Sequence, residues 1–432
     1  MADRLQIASA GRHLVGVHRR IATLIGAISL SLLAIAFARL GEVAQHLFLR
    51  LVAISPHAPF ILTPLTFAAV VYVTRRWWPE GRGSGIPQVM AAGHRPERQA
   101  EGPLLSLRTA AAKFGATIAM LLAGASVGRE GPTVQISAAV MVAVHRWLRV
   151  PITAGVIIAG GAAGVAAAFN TPLAGVAFAI EELASAFEQR VAIMVMAAVM
   201  ISGLVSLGLS GDYVYFGTMN QTLPLHGMLV VSPIAGILGG LAGGVFSRCL
   251  VALSRSTHPW IKVMRAHPIL FATCCGLVVA VTGWLTDGLS WGTGYETTRQ
   301  LLASQDAPLT FGPAKFVATL ATALSGAPGG IFAPSLSVGA GLGQSLSLLF
   351  PASPAGAIIL LGMIGYFTGV VRAPLTAVII MMEMTADHTM ILPLFATALI
   401  ADAVSALVCR DKLYHALSKG FLASATGDAK EA

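Results

Sequence analysis

Charged side chains are scarce in this chain of 432 residues. Asp, Glu, Lys and Arg together make up 11% of it, whereas a soluble domain averages about 25%. Hydrophobic residues account for 56%. This composition excludes an ordinary soluble domain, and it predicts an all-α integral membrane protein that crosses the lipid bilayer several times.

Cysteine is also rare. The four cysteines, Cys249, Cys274, Cys275 and Cys409, lie in apolar segments without the spacing of metal ligands. We interpret them as small buried hydrophobic residues. The sequence therefore predicts no metal site, and we expect no cofactor.

Uninterrupted apolar runs of full membrane-crossing length are few. Many runs are shorter than the ~20 residues that a spanning helix needs, or they are cut by some of the 46 Gly and 22 Pro residues. Broken and re-entrant helices are the expected result, and they are tolerated only where the backbone is buried in protein or lines a polar cavity. The runs lie at 21–38, 58–74, 103–127, 152–168, 191–209, 227–246, 268–285, 314–324, 335–350, 355–370 and 390–409.

The net charge of +9 comes from basic residues at the margins of the apolar regions. They cluster at 4–20, 248–265 and 410–419. Because Lys and Arg favour the cytoplasmic side of a membrane, we expect both termini in the cytoplasm. The expected location is the inner (plasma) membrane. Since the membrane topology accounts for the basic residues, we expect no nucleic-acid partner. The first apolar run lacks a small-residue cleavage site and is interpreted as a true span.

One ionised pair, Arg129 and Glu130, stands inside an otherwise apolar region. A charge at bilayer depth costs roughly 2.5 to more than 10 kcal/mol, so it needs a function or a partner. Gly128, Gly131 and Pro132 suit a helix start whose free N–H groups attract an anion. Glu130 could occupy that anion site and leave it when protonated. The structural alternative is a salt bridge between Arg129 and Glu130 that pins two helices.

The two halves of the sequence resemble each other at an ungapped offset of 202 positions. The matched residues are Gly, Pro, Lys and Glu, which do not recur by chance at one offset in a chain rich in Ala and Leu. With a larger offset, 83–85 also resembles 292–294. The pairs are Lys113–Lys315, Gly124–Gly326, Gly128–Gly330, Pro132–Pro334, Gly160–Gly362, Pro172–Pro374 and Glu181–Glu383.

Such repeats are typical of secondary transporters, whose ligand site lies at the repeat interface. The break at 210–226 contains no Lys or Arg, so with cytoplasmic termini each half crosses an odd number of times and the repeat is inverted. The helix starts at 128–132 and 330–334 then converge from opposite sides, which suits an anion. Glu130 aligns with Phe332, so the acidic gate is present on one side only.

The domain boundaries follow from these features. Residues after about 418 are expected to form a disordered tail. The predicted segments are a cytoplasmic segment 1–20, a first membrane repeat 21–209, an extracellular linker 210–226, a second membrane repeat 227–409 and a cytoplasmic segment 410–432.

Four ordered motifs resemble those of the CLC chloride channel and transporter family. They are 83–87 (GSGIP), 128–132 (GREGP), 330–334 (GIFAP) and Lys412-x-Tyr414. The resemblance extends from about residue 20 to about residue 420. It implies a homodimer in membrane lipid, with one pathway for chloride and related monovalent anions in each subunit.

The resemblance also implies roles for particular residues. The hydroxyls of Ser84 and Tyr414 would hold the central anion, together with the backbone N–H groups of Ile331 and Phe332. Glu130 would be the external gate and proton acceptor. Arg129, Gly85 and Gly131 complete the expected anion-binding set.

Glu182 matches the inner glutamate that transfers protons in exchangers of the family. Its neighbour Glu181, which the repeat pairs with Glu383, is interpreted as structural. Gln88 and Met90 stand where known bacterial exchangers carry acidic residues near the inner glutamate, which puts the polar support of Glu182 in question.

The expected function is proton–chloride antiport rather than enzymatic catalysis. A passive voltage- or pH-gated chloride channel is the first alternative, and Glu182 favours the antiporter over it. A remote alternative is an intramembrane serine hydrolase with Ser84 as nucleophile, which would require a base within hydrogen-bond reach.

Overall fold

The computed structural model describes residues 2–94, 96, 102–183, 189–211, 213–220 and 222–426, and within them the chain forms eighteen helices and no strand. The helices of the first half are α1 Ala2–Ile54, α2 Pro59–Trp77, α3 Ile86–His94, α4 Leu107–Leu122, α5 Glu130–Trp147, α6 Ala154–Phe169, α7 Pro172–Phe178 and α8 Gln189–Ser210. Those of the second half are α9 Leu225–Arg255, α10 Pro259–Ala266, α11 Pro268–Leu285, α12 Tyr295–Leu302, α13 Phe311–Leu324, α14 Phe332–Ser347, α15 Ala355–Val371, α16 Pro374–Thr385, α17 Ile391–Val408 and α18 Leu413–Thr426.

Five of these helices are long and apolar enough to cross a membrane by length and composition. They lie at Gly16–Ile54, Val191–Ser210, Gly227–Arg255, Pro268–Leu285 and Ile391–Val408. Helices such as α6 and α15 are apolar and buried but only 16 and 17 residues long. The fold therefore combines full spans with short buried helices, as the interrupted apolar runs predict.

Two expectations about the ends and the cysteines need correction. The predicted tail after residue 418 is wrong as far as Thr426, because α18 continues to that residue; residues 427–432 lie outside the described residues. Cys275 and Cys409 are buried as expected, but Cys249 is only partly buried and Cys274 is exposed. The polar segment 1–20 is continuous with the first apolar run in α1.

The internal repeat is confirmed helix by helix. The starts of α5, α7 and α8 precede those of α14, α16 and α17 by the same 202 positions. Asn170 and Arg372, which end α6 and α15, both adopt the left-handed conformation, with φ of 56° and 60°. The first part of each half follows an offset of 209, which relates Pro59 to Pro268 and the 83–85 loop to the 292–294 loop.

Reciprocal contacts join the halves about a two-fold relation. Glu181 accepts hydrogen bonds from the N–H groups of Leu375 and Thr376 at the start of α16, at 3.1 and 2.6 Å. Its repeat partner Glu383 accepts them from Leu173 and Ala174 at the start of α7, at 3.0 and 2.7 Å. These carboxylates cap helix N-termini, which confirms the structural interpretation of Glu181 and Glu383.

Small residues allow the buried helices to approach closely. An added Cβ at Gly239 of α9 would lie 2.3 Å from the Gly365 carbonyl carbon of α15, and one at Gly243 would lie 2.5 Å from that of Gly369. Interfaces of this kind are common between membrane helices, where packing rather than water exclusion drives association. The glycine content therefore serves helix contacts as well as loops.

Candidate anion pathway

The two helix starts that the repeat predicts do meet. Gly128 and Gly330 form an isolated antiparallel bridge, each donating its N–H to the other's carbonyl at 2.7 Å. Two residues later, α5 begins at Glu130 and α14 begins at Phe332. The bridge thus brings together the free N–H groups and positive dipole ends of two helices, a favourable place for an anion.

The carboxylate of Glu130 occupies this place. The backbone N–H groups of Arg129, Glu130 and Ala333 neighbour this carboxylate, so both repeats contribute. A Cβ added at Gly128 would lie 2.2 Å from Glu130 Oε2. Glycine at position 128 is therefore what leaves room for the carboxylate, which is itself buried.

The loop that carries Ser84 reaches the same point from α2. Gly83 and Gly85 flank the serine with φ of 64° and 112°, a region that side chains rarely adopt. Lys113 of α4 is buried and donates to the Gly83 carbonyl at 2.7 Å. The serine hydroxyl comes so close to α5 that a Cβ at Gly131 would lie 2.4 Å from Ser84 Oγ.

Tyr414, near the start of α18, completes the arrangement. Its phenol neighbours the Ser84 hydroxyl, and its ring stacks on Phe332 at 6.5 Å between centroids with 14° between planes. Both hydroxyls are buried and have no hydrogen-bond partner of good geometry among the described residues. Two uncharged donors are therefore available to an anion. Among the described residues, Ser84 has none of the histidine contacts that a hydrolase nucleophile needs.

Ser84 and Tyr414 line a cavity of about 520 Å³, the Ser84 cavity, whose wall also includes Gly330 and Ile331. Burial lowers the pKa of Arg82 from its usual value, although a guanidinium remains charged at any physiological pH. The positive wall would attract anions toward the hydroxyls. The basic side chains of the cavity are Arg75, Arg82, Arg255, Arg265 and Lys419.

A second cavity of about 620 Å³, the Arg129 cavity, is lined by Arg129, Tyr215 and Tyr295. The Arg129 guanidinium donates to Glu42 Oε1 of α1 at 2.8 Å and to the Ala38 carbonyl. The alternative of an Arg129–Glu130 salt bridge is therefore wrong: Arg129 pins α5 to α1 through Glu42. Glu130 takes no part in that pair. It follows Arg129, which lines this cavity, and its carboxylate lies beside Gly128, whose bridge partner Gly330 lines the Ser84 cavity.

Glu182 lies apart from the helix starts, in a π-helical turn over Ala179–Leu183 that continues α7. Its side chain is 0% exposed, and neither oxygen has a hydrogen-bond partner among the described residues. Nδ1 of His415 lies 3.9 Å from Oε1, and Lys412 is a further basic group near this carboxylate. A buried carboxylate in this state favours its neutral form and can hold a proton.

Gln88 and Met90 do not support Glu182 directly. The Gln88 amide donates to the carbonyls of Glu80 and Arg82, at 3.0 and 2.6 Å, and so holds the loop before Ser84. The Met90 carbonyl accepts from His94 at 2.8 Å. Sequence analysis missed His415; its position directly after Tyr414 was the available signal.

Comparisons with known proteins identify the relatives of this chain. Residues 65–406 match the family model described as voltage gated chloride channel. The H(+)/Cl(−) exchange transporter ClcA of Yersinia pestis bv. Antiqua (strain Angola) is 31% identical over 430 residues, covering 92% of this chain and 86% of that protein. The same values hold for ClcA of Yersinia pseudotuberculosis serotype O:3 (strain YPIII).

Two solved structures share the fold. A slow cyanobacterial Cl−/H+ antiporter superimposes with a TM-score of 0.79 at 24% identity, covering 94% of this chain and 98% of the other. A CLC-type fluoride/proton antiporter gives 0.78 at 21% identity, with 92% and 96% covered. At these identities the likeness shows the fold alone.

Proposed function

Since the chain belongs to the voltage-gated chloride channel family, we propose that it exchanges chloride for protons across a membrane. The observation that carries this proposal is the position of Glu130. A titratable carboxylate lies on the free N–H groups of two helix starts, the place that suits a chloride ion. The ionised carboxylate and a chloride ion therefore compete for one site. Protonation of Glu130 is thereby coupled to the entry of chloride, as exchange requires.

The exchange proceeds by competition at the helix starts. The ionised Glu130 carboxylate fills the site and blocks the passage between the Ser84 cavity and the Arg129 cavity. A proton neutralises the carboxylate, whose attraction to the N–H groups weakens, and the side chain swings away. Chloride then enters the vacated position, and the proton leaves with the next displacement.

Chloride in the central position would be held by the hydroxyls of Ser84 and Tyr414 and by the N–H groups of Ile331 and Phe332. Support comes from the buried, unpartnered state of both hydroxyls. This set of donors contains no cation, so binding stays weak enough for release. Arg129, Gly85 and Gly131 act indirectly, Arg129 by fixing the start of α5 and the two glycines by permitting the close approach of loop and helix.

Glu182 is the proposed proton acceptor on the opposite side from Glu130. Its burial without a hydrogen bond lets it take and release a proton without competing with chloride, because it lies outside the central site. Protons would therefore reach Glu130 by way of Glu182, and chloride would reach it by way of the central site. The two paths are separate on the inner side and meet at Glu130.

Reconstituted vesicles test the proposal. With membrane potential clamped, an outward chloride gradient should drive protons inward against their own gradient, and the reverse gradient should drive them outward. A passive chloride channel would carry chloride under the same clamp without moving protons. That result would leave the chain a chloride pathway but overturn the exchange.

We further propose a homodimer in the inner membrane with both termini in the cytoplasm. Support for the dimer is an exposed apolar face formed by α7 and α8 and by their repeat counterparts α16 and α17, with the side chains Leu173, Ile193, Met196, Leu204, Leu375, Leu392 and Leu399. Cysteine pairs introduced on this face should cross-link two copies in native membranes. Monomers that resist cross-linking in membranes would contradict the dimer.

A further inference from the structure

The cytoplasmic approach to Glu182 carries a feature that the family motifs do not describe. His415 follows the anion-binding Tyr414, and its Nδ1 lies 3.9 Å from Glu182 Oε1. The glutamate side chain is 0% exposed whereas the histidine side chain is 48% exposed. His415 therefore contacts the buried carboxylate on one side and solvent on the other.

Resting on the exchange proposed above, we propose that His415 relays protons between cytoplasmic water and Glu182. Positions 88 and 90, on the helix α3 that packs against α18, are Gln and Met and carry no titratable group. Gln88 is committed to the backbone carbonyls of Glu80 and Arg82. An imidazole, which gains and loses protons near neutral pH, supplies the missing titratable group.

The transfer balances with one proton in and one out. Neutral His415 presents Nδ1–H to the Glu182 carboxylate, and a proton from cytoplasmic water binds Nε2. The Nδ1 proton then passes to Glu182, which becomes the neutral acid, and the imidazole is left with its proton on Nε2. Because 3.9 Å exceeds a hydrogen bond of about 2.7–3.2 Å, a ring rotation or one bridging water closes the gap, and rotation also resets the ring.

The charges around His415 set when the relay operates. Lys412 precedes it, Lys419 lies on the same helix, and His94 faces it from α3. Partial burial first, and then these basic groups, lower the pKa of His415 from its usual value. A lowered pKa means that the ring is mostly neutral at pH 7 and is protonated more often as the cytoplasm becomes acidic. Delivery to Glu182 therefore accelerates with falling cytoplasmic pH.

His94 shares the approach as an outer group. Its Nδ1 donates to the Met90 carbonyl at 2.8 Å, so Nε2 is the ring nitrogen that this bond does not use. The side chain is exposed. Its proximity to His415 places a second imidazole at the water end of the relay.

The test uses the full chain in vesicles and the substitution His415→Gln, which keeps the size and polarity but cannot titrate. In the otherwise natural protein, proton and chloride fluxes should both fall several-fold, most strongly at acidic cytoplasmic pH. Imidazole added to the cytoplasmic side should restore flux. His267→Gln alters another exposed histidine, whose Nδ1 donates to the Val263 carbonyl; it is the matched control and should leave both fluxes unchanged.

A structural role is separated by repeating His415→Gln with Glu130→Gln, where proton exchange is already lost. The relay predicts no further fall in chloride flux in the double variant, and unchanged chloride affinity by calorimetry. A further fall, or failure of imidazole to rescue the single variant, would overturn the relay. If the unsubstituted protein moves no protons, that result contradicts the proposed exchange and, with it, the relay. If it exchanges protons but the results for His415→Gln differ from those expected, only the relay is contradicted.

Discussion

Gly128 and Gly330 donate a backbone hydrogen bond to each other, both at 2.7 Å, and these two residues mark the pseudo-two-fold centre of the molecule. Their surroundings differ. A Cβ at Gly128 would meet the Glu130 carboxylate at 2.2 Å, whereas a Cβ at Gly330 would meet the Gly128 carbonyl oxygen and Gly131 nitrogen at 3.0 Å. The backbone of the two repeats is thus related by a pseudo-two-fold axis, but only one repeat supplies a gating carboxylate, Glu130.

This asymmetry predicts different outcomes for two matched substitutions. Gly128→Ala should push the Glu130 carboxylate from its position and raise chloride flux at high pH, since the ionised gate no longer fits. Gly330→Ala should instead strain the bridge and lower stability by about 1–3 kcal/mol. Chloride flux as a function of pH, and thermal unfolding in detergent, distinguish them. Equal effects of both substitutions on gating would contradict the assignment of Glu130.

Glu130→Gln tests the gate directly. A neutral amide cannot take up a proton or compete ionically with chloride at the helix starts, so anion flux should persist while proton coupling and pH dependence disappear. Glu42→Gln is the control, because this carboxylate is 60% exposed and binds Arg129 rather than the anion site. Uphill proton movement by the Glu130→Gln variant would exclude Glu130 as the external proton acceptor.

Much of this site could be predicted from sequence because it depends on local motifs and on the repeat. The helix starts at Glu130 and Phe332 follow from Gly and Pro at fixed spacing, and the offset of 202 pairs them. Contacts between elements that are distant in the chain could not be predicted from the sequence. Glu42 pairs with Arg129 across 87 residues, and His415 reaches Glu182 only because α18 packs against α3, which also contacts the π-helical turn that carries Glu182. The Glu42 contact leaves no periodic or local trace, and the position of His415 after Tyr414 does not reveal which residue it contacts.

The ends of the helices were also not predictable from the sequence alone. The apolar run at 21–38 predicts a span, but no pattern indicates that α1 continues unbroken to Ile54. The helix of the C-terminal segment was missed for a related reason. Its buried side chains, Tyr414 among them, are covered by packing against α3 and α9, which composition does not reveal.

Ser84→Pro should change anion preference. The substitution removes one hydroxyl donor from the ion and alters a loop held by Lys113, and loss of one donor to a charged ligand is worth roughly 1.5–3 kcal/mol. The nitrate-to-chloride flux ratio should therefore rise by about tenfold or more. Ser84→Ala, which removes only the hydroxyl, separates the donor from the backbone effect. An unchanged flux ratio in both variants would remove Ser84 from the selectivity site.

The buried lysines of the two repeats should have unequal importance. Lys113 donates to the Gly83 carbonyl beside Ser84, and Lys315 donates to the Gly292 carbonyl, each at 2.7 Å. Replacing either by Met leaves a buried carbonyl unsatisfied, at a cost of about 1–3 kcal/mol. Only Lys113→Met should also weaken chloride binding, because only its loop carries an anion-binding hydroxyl. Calorimetric chloride affinities that fall equally in both variants would contradict this division.

The neighbouring glutamates 181 and 182 provide the sharpest pair, since adjacent carboxylates have different roles. Glu181 caps α16 through the N–H groups of Leu375 and Thr376, so Glu181→Gln should cost about 1 kcal/mol of stability and leave coupling intact. Glu182 makes no hydrogen bond with the described residues, so Glu182→Gln should fold normally. Because an amide cannot receive a proton, that variant should carry chloride with little or no proton movement.

The measurements that separate the two glutamates are thermal unfolding and the proton-to-chloride flux ratio for each variant. Intact coupling in a stable Glu182→Gln protein would mean that protons enter elsewhere, and it would also remove the acceptor that the His415 relay requires.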